Sequence, residues 1–390
     1  MLYDIAFWAA LVLLGIGVVH RIDAWFLRDV GLADRNVTAG QRFGAGLRGL
    51  LAAVFSGRIL KVLKVLVVDV LFQARILRDR KDPLAYSMHL LIFFGFMALL
   101  LFHALGSIFG GWISSSGYVS TLNPFMFMTD LFGLMLAAGL ALAVVRRVAR
   151  RAEIPTGRAD AAILAILILI AVSGFLLKSV KITSDSVFAS MVKQYAGDGL
   201  SADEVTALKA YWAADYGLVA AAPVPSHDAA VVAQGRVVHE AVCQSCHARP
   251  TSAFVSYPLS RALAPVAAGL DRAGAVRSLW WVHVLACFVG LGYLAFGKMF
   301  HVVSTPASLL VAEVAGREQT PAVAATRQAI ELDGCSHGGA CHDTCPVKIR
   351  RMDRIGTEAP YEPMLAYVDQ KSAGDLGSRA VAVQPGAHSG

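Results

Sequence analysis

Five long apolar runs divide the chain, at about 2–19, 84–105, 125–145, 161–177 and 276–303. Each is at least about 17 residues, enough for an α-helix to cross the ~30 Å hydrocarbon core of a bilayer. A sixth stretch, 47–72, is also apolar but carries Arg48, Arg58, Lys61, Lys64 and Asp69. Several charges at a bilayer midplane are costly, so this segment is expected to lie in the interface rather than span. The pattern therefore predicts an all-α membrane protein. Spans one to four and the interfacial helix fall in 1–182, a polar insertion in 183–274, the fifth span in 275–303 and a polar tail in 304–390. The insertion opens one helix on a capping box, Ser201-Ala-Asp-Glu204. The last residues, from about Lys371, are rich in Ala, Gly and Ser and are expected to be disordered.

Composition agrees with this pattern: 56% of the 390 residues are hydrophobic, 16% are charged and the mean hydropathy is +0.57, which excludes an ordinary soluble fold. The net charge of +7 first has to be placed on a topology. Twelve Lys and Arg lie between Arg21 and Lys81, and Arg146, Arg147, Arg150 and Arg151 follow the third span. Residues 106–124 carry no charge at all. By the positive-inside rule both basic loops are cytoplasmic, and the chargeless loop and the insertion are outside. The expected location is a bacterial cytoplasmic membrane, with the N-terminus and insertion periplasmic and the tail cytoplasmic. The first run has no basic region before it and no small-residue cleavage site after it, so it reads as a span. The basic charge is thus a topology signal, and no nucleic-acid partner is expected.

Six cysteines fall in two clusters plus a lone Cys287, which argues for cofactor attachment rather than a disulfide framework. Cys243-Gln-Ser-Cys246-His247 is the c-type haem pattern, with two thioether-forming thiols and an adjacent axial imidazole. Met191, His227 and His239 are the candidates for its sixth ligand. Ionisable groups within spans are functional candidates by default. His89 and His103 lie on the second span, fourteen residues apart, and His283 and His301 on the fifth, eighteen apart. Eighteen residues are five turns at ~3.6 per turn, which places His283 and His301 on one face and about 27 Å apart. With the two spans antiparallel, His103 with His283 forms an outer pair and His89 with His301 an inner one. Each pair can clamp one b haem between two imidazoles, with His20 as the substitute at the inner site. Asp130, inside the third span, reads either as a proton acceptor for a quinol or as a helix cap. Lys178, Lys181 and Arg277 read as interfacial anchors or as partners of haem propionates.

Trp280-Trp281-Val-His283 and Lys298-Met299-Phe300-His301, with Met88-His89-Leu-Leu-Ile-Phe-Phe-Gly95-Phe, resemble two helices of the respiratory nitrate reductase gamma-subunit superfamily. Within it the sequence is most similar to the cytochrome b membrane subunits of heterodisulfide reductase and of dissimilatory sulfite-reductase-linked complexes. The resemblance covers the five spans. It implies a five-helix dihaem cytochrome b exchanging electrons between quinone and a cytoplasmic iron–sulfur partner. The haem c insertion is not a general feature of that family, and its nitrate reductase members space their second-span ligands more closely. In the tail, the motif at 335–346, Cys335-Ser-His337-Gly338-Gly-Ala-Cys341-His342-Asp-Thr-Cys345-Pro346, resembles the bacterial ferredoxin run with Gly338 at the second cysteine position. Cys335, Cys341 and Cys345 with His337 suit either an iron–sulfur cluster or a Cys3His zinc site, and a docking segment is the third reading.

The expected function is that of a membrane electron-transfer subunit with two b haems and one c haem. It would link the quinone pool or a periplasmic cytochrome to a cytoplasmic iron–sulfur or flavin oxidoreductase. Two alternatives compete. One is a quinol dehydrogenase that sends electrons outward through haem c to a soluble cytochrome, and the other is a non-catalytic anchor or assembly subunit.

Overall fold

The computed structural model describes residues 1–27, 37–74, 83–104, 118–149, 158–196, 199–315 and 320–333, and among these every regular element is helical. The first six helices are α1 (Leu2–Leu27), α2 (Ala39–Val54), α3 (Ile59–Lys64, running on as a π-helical Val65–Leu71), α4 (Pro83–Ala104), α5 (Phe125–Ala149) and α6 (Arg158–Thr183). The insertion contributes α7 (Asp185–Tyr195), α8 (Ala202–Asp215), α9 (Ala229–Val242) and α10 (Ser256–Arg272). Then come α11 (Ala275–Tyr293), a 3₁₀ turn (Lys298–Phe300), α12 (His301–Ala315) and α13 (Pro321–Asp333). Helices α1, α4, α5, α6 and α11 are the five that are long and apolar enough to cross a membrane. The chain is an all-helical, multi-pass membrane protein.

Two of the expected elements are divided. The interfacial segment 47–72 is two helices rather than one, interrupted at Phe55–Arg58 around Gly57. A Thr38/Gln41 capping box starts the first of them at Ala39. The fifth span is the more consequential case, because α11 ends at Tyr293 and not near Val303.

The chain forms two compact units, one of residues 1–86, 144–165 and 288–390 and the other of 87–143 and 166–287. In the first, the cause of the broken fifth span is visible. Gly297 is extended (φ −112°, ψ −176°), and buried Arg21 of α1 collects the exposed carbonyls. Its Nε donates to Ala295 O (3.0 Å), and its Nη1 pairs with the buried Asp333 carboxylate (2.7 Å) at the end of α13. Trp25 Nε1 donates to the other Asp333 oxygen (2.7 Å), and Trp25, Ala295, Phe300 and Ile330 close an apolar core around the break. Lys298 of the 3₁₀ turn pairs with Asp160 at the start of α6 (2.9 Å). A helix freed of its ladder here needs donors for its carbonyls, and the Arg21 guanidinium supplies them. With two separate helices, the eighteen-residue count no longer puts His283 and His301 on one face at a helical distance.

In the second unit α4 and α5 are in backbone contact. A Cβ on Gly95 would stand 2.6 Å from Leu136 N, and one on Gly139 would stand 2.8 Å from Ile92 N. Small residues are what allow such an approach in lipid. The insertion helices are individually capped, α7 by Ser184, α8 by the Ser201/Glu204 box and α9 by Asp228. Helices α8 and α9 cross at Gly235, where an added Cβ would overlap Ala207 O. Phe188, Leu208, Leu218, Val238 and Cys243 form the insertion's core. Helix α10 is fastened to the spans by buried Asp130 of α5. Its Oδ2 accepts from Val255 N and Ser256 N (both 2.8 Å), and its Oδ1 accepts from Ser256 Oγ (2.8 Å) and Lys178 Nζ (2.7 Å).

Candidate functional site

The CXXCH segment is a tight turn at the C-terminus of α9. His239 O accepts from Cys243 N (2.8 Å) and Gln244 N (2.9 Å), and Cys243 O accepts from Cys246 N (3.0 Å) and His247 N (2.9 Å). The turn therefore winds Cys246 and His247 around Cys243. Thr121 straps it on both sides, since its Oγ1 donates to Cys246 O and its carbonyl accepts from Ala248 N (3.0 Å). Both thiols are free, Cys243 buried in the core and Cys246 exposed. Burial, with Cys246 alongside, pushes the Cys243 thiol up to about 11. Burial also pulls His247 below the usual imidazole range, with His239 adding to the effect, so His247 is neutral near pH 7 and keeps a lone pair.

The three sixth-ligand candidates differ sharply. His239 is buried, and both of its nitrogens are engaged. Trp212 Nε1 can only donate, so His239 Nδ1 accepts from it (3.2 Å) and Nε2–H donates to Tyr216 Oη (2.9 Å). Burial lowers the His239 pKa, which matches a neutral ring held in an aromatic box of Tyr211, Trp212 and Tyr216. His227 is exposed in the turn before α9. Met191, on α7, packs against the core cluster that contains Cys243. The same Trp212 stands edge-on to His247, with ring centroids 5.3 Å apart.

His103, His283 and His301 share a tautomer. His103 Nδ1 lies 3.0 Å from Leu99 O and His301 Nδ1 2.6 Å from Lys298 O. A carbonyl only accepts, so Nδ1 carries the proton and Nε2 the lone pair. His283 reaches the same state by one more step. Ser173 Oγ donates its only proton to Ile170 O (3.2 Å), so it accepts from His283 Nδ1–H (3.0 Å). A fixed Nδ1–H bond with Nε2 as the electron-pair donor is how metal-ligating histidines are oriented. These residues thus fit axial ligation of a haem iron. His103 and His283 belong to one unit and lie within electrostatic range of each other. The His283 ring rests on Gly174, whose added Cβ would meet Cε1 at 3.1 Å, and Cys287 Sγ is 3.9 Å from Nε2. His89 is half-buried in the same unit, whereas His301 belongs to the other, so that pairing rests on the sequence. His20 is exposed.

Neither Asp130 nor Lys178 has spare capacity. Asp130 accepts four hydrogen bonds, and Lys178 Nζ also reaches Met126 O (3.1 Å) and Thr129 Oγ1 (3.0 Å). The arrangement is that of a helix cap. Among the described residues no three His, Cys, Asp or Glu side chains gather as a metal-ion site. Cys335, His337, Cys341 and Cys345 lie outside the described residues. Ser173, Trp212 and Thr121 join the site without having stood out in the sequence. Of these, only Ser173 left a signal, as a lone hydroxyl in an apolar span opposite a histidine.

Fold and site together define a multi-pass helical membrane protein that carries, in or beside its spans, histidines with one nitrogen oriented. The chain is 30% identical over 141 residues to a subunit of the dihydromethanophenazine:CoB–CoM heterodisulfide reductase of Methanosarcina thermophila. That match covers 31% of this chain and 47% of the relative, so the chain spans about half the length of the curated protein it matches. No family model and no solved structure matches.

Proposed function

We propose that the protein is a membrane electron-transfer subunit of an oxidoreductase complex, with b haems in the spans and a c haem on the insertion. The observation that carries this reading is the common Nδ1–H bonding of His103, His283 and His301, three imidazoles fixed through Nδ1 within or beside a span. Support comes from the relative, whose name makes it a subunit of an enzyme passing electrons between a reduced phenazine and a heterodisulfide.

In this reading His103 and His283 hold the haem nearer the insertion, and His89 and His301 hold the second. Cys243 and Cys246 would hold the c haem covalently and His247 would ligate its iron, with Met191 and His227 as the remaining candidates for a further ligand. His239 is excluded from that role because its ring is consumed by Trp212 and Tyr216. Bound haem supplies one-electron redox chemistry, and the protein supplies ligands, orientation and dielectric. Leu99, Ser173 and Lys298 fix the imidazole planes through Nδ1. The insertion is assigned to the periplasm and the tail to the cytoplasm, where its cysteines meet an iron–sulfur or flavin partner. The electron donor or acceptor in the membrane is a quinone-class carrier. Electrons crossing a membrane potential exchange about 2.3 kcal/mol per charge per 100 mV, so this topology couples electron transfer to energy conservation.

Reduced-minus-oxidised spectra of the purified protein test the reading. Both b- and c-type bands are expected. Cys243→Ala with Cys246→Ala should abolish covalently bound haem, and His283→Ala should remove the b-type absorbance of one of the two b haems while the other b haem and the c band persist. Protein that carries no haem when produced with intact cytochrome maturation would end the account.

A further inference from the structure

Where α6 and α11 meet the insertion, a cavity of about 610 Å³ opens beneath α7. Its size is that of a small-molecule site. Helix α7 separates it from the insertion's core. Phe188 and Val192 pack into that core, while Ser186, Ser190 and Gln194, four residues apart in turn, face the cavity. Met191 of the same helix reaches both sides, lining the cavity and packing against the core that holds Cys243, so the two adjoin. Lys181, from the last turn of α6, and Arg277, from the first turn of α11, both line it. Among the described residues neither cation has an ion-pair or hydrogen-bond partner, in contrast to Lys178 one turn away. The one acidic lining residue, Asp271, is turned to other work. Burial pushes its carboxyl up, but hydrogen bonds from Ser184 and Ser186 outweigh this and hold it below its ordinary value. Trp280 and Val276 provide an apolar wall on the α11 side.

We propose that this cavity binds the headgroup of an anionic phospholipid. Lys181 and Arg277 take the phosphate, Ser190 and Gln194 offer hydrogen bonds to the glycerol side, and the Val276–Trp280 wall leads the acyl chains toward the bilayer. Two observations select this occupant. The cations sit at the ends of two spans, where headgroups lie, and a tryptophan stands beside them in its preferred interfacial place. Among the described residues their charge has no counter-ion, which an anion of either lipid or solution origin would supply. The site shares Met191 with the proposed c-haem site but needs no haem to form, and its test reads lipid binding rather than electron transfer.

The test compares the whole protein in phosphatidylcholine nanodiscs with and without phosphatidylglycerol, reading retained lipid by native mass spectrometry. Wild-type protein should retain phosphatidylglycerol selectively. Lys181→Gln and Arg277→Gln should each weaken retention by roughly tenfold, the scale of one charge-assisted hydrogen bond. Lys193→Gln removes one charge from α7 outside the cavity and should leave retention unchanged. Three results would overturn the proposal. The first is equal retention in Lys181→Gln, Arg277→Gln and wild type. The second is inorganic phosphate displacing the lipid at matched concentration, which would make the site one for a soluble anion. The third is loss of b-type absorbance in the double variant with lipid retention intact, which would assign the cations to haem propionates.

Discussion

Replacing Asp130 by Ala should release α10 from the spans. The side chain is 1% exposed and accepts from two backbone N–H groups, one hydroxyl and one ammonium. Truncation leaves Val255 N, Ser256 N and Ser256 Oγ without that acceptor in a site closed to water, and each orphaned donor costs about 1–3 kcal/mol. Lys178 loses less, because Met126 O and Thr129 Oγ1 remain and its side chain is 29% exposed. Three such donors sum to roughly 3–9 kcal/mol, a range that includes the cost of breaking a buried ion pair from one side. Asp130→Asn should lose about half as much, since one oxygen is retained while the amide group faces donors. Hydrogen exchange at the amides of Val255 and Ser256, with thermal unfolding in detergent, measures both. Exchange should accelerate at these amides before the spans open. If Asp130→Asn leaves exchange there unchanged while slowing electron transfer, Asp130 is no cap and handles protons instead.

Three further outcomes follow from the geometry. Arg21→Met should cost about 3–5 kcal/mol by stranding the buried Asp333 carboxylate, visible as a lowered melting temperature that Asp333→Asn partly restores in the double variant. Acid should loosen the insertion. His239 and His247 are held neutral by burial, so their contribution is complete above the unfolded imidazole pKa of about 6.5 and is lost as pH falls through the lower folded values. Melting followed by tryptophan fluorescence should drop more steeply below about pH 6 in wild type than in His239→Gln. In haem-free protein at mild alkaline pH, a maleimide should label exposed Cys246 well before Cys243, whose thiol is buried and raised to about 11; equal labelling would contradict that environment.

The five spans were legible because hydrophobic length in a bilayer admits few solutions, and the capping box at Ser201 was legible because its two hydrogen bonds are local. The break after Tyr293 was not. Leu294-Ala-Phe-Gly297 reads as a continuation of an apolar helix, and the residue that stabilises the break, Arg21, is 274 positions away. The only local hint was Gly297. Likewise the sequence named the four span histidines but could not say which nitrogen each presents. That depends on an i−4 carbonyl for His103, a 3₁₀-turn carbonyl for His301 and a serine 110 residues away for His283.

One distinction then sorts the ionisable residues of the spans. Arg21 sits where helix carbonyls are exposed, and Asp130 sits where a helix presents its first N–H groups. Each charge matches the local end of a helix dipole, and each is used up by backbone and counter-ion. Such residues look functional on a hydropathy plot because membrane charges usually are. Their hydrogen-bond inventory says otherwise, since Asp130 accepts four hydrogen bonds and Arg21 is committed through Nε, Nη1 and Nη2 to Ala295 O, Asp333 and Gly297 O. His103 shows the opposite inventory, with Nδ1 committed to the protein and Nε2 oriented as an electron-pair donor, and His283 differs from it only by a long contact from the Cys287 thiol to Nε2 (3.9 Å). Exchanging Ser173 for Ala would separate the two classes experimentally. It removes the hydroxyl beside His283 Nδ1 together with a local bond to Ile170 O within the same helix, so it should shift the potential and bandshape of one b haem with only a small change in melting temperature.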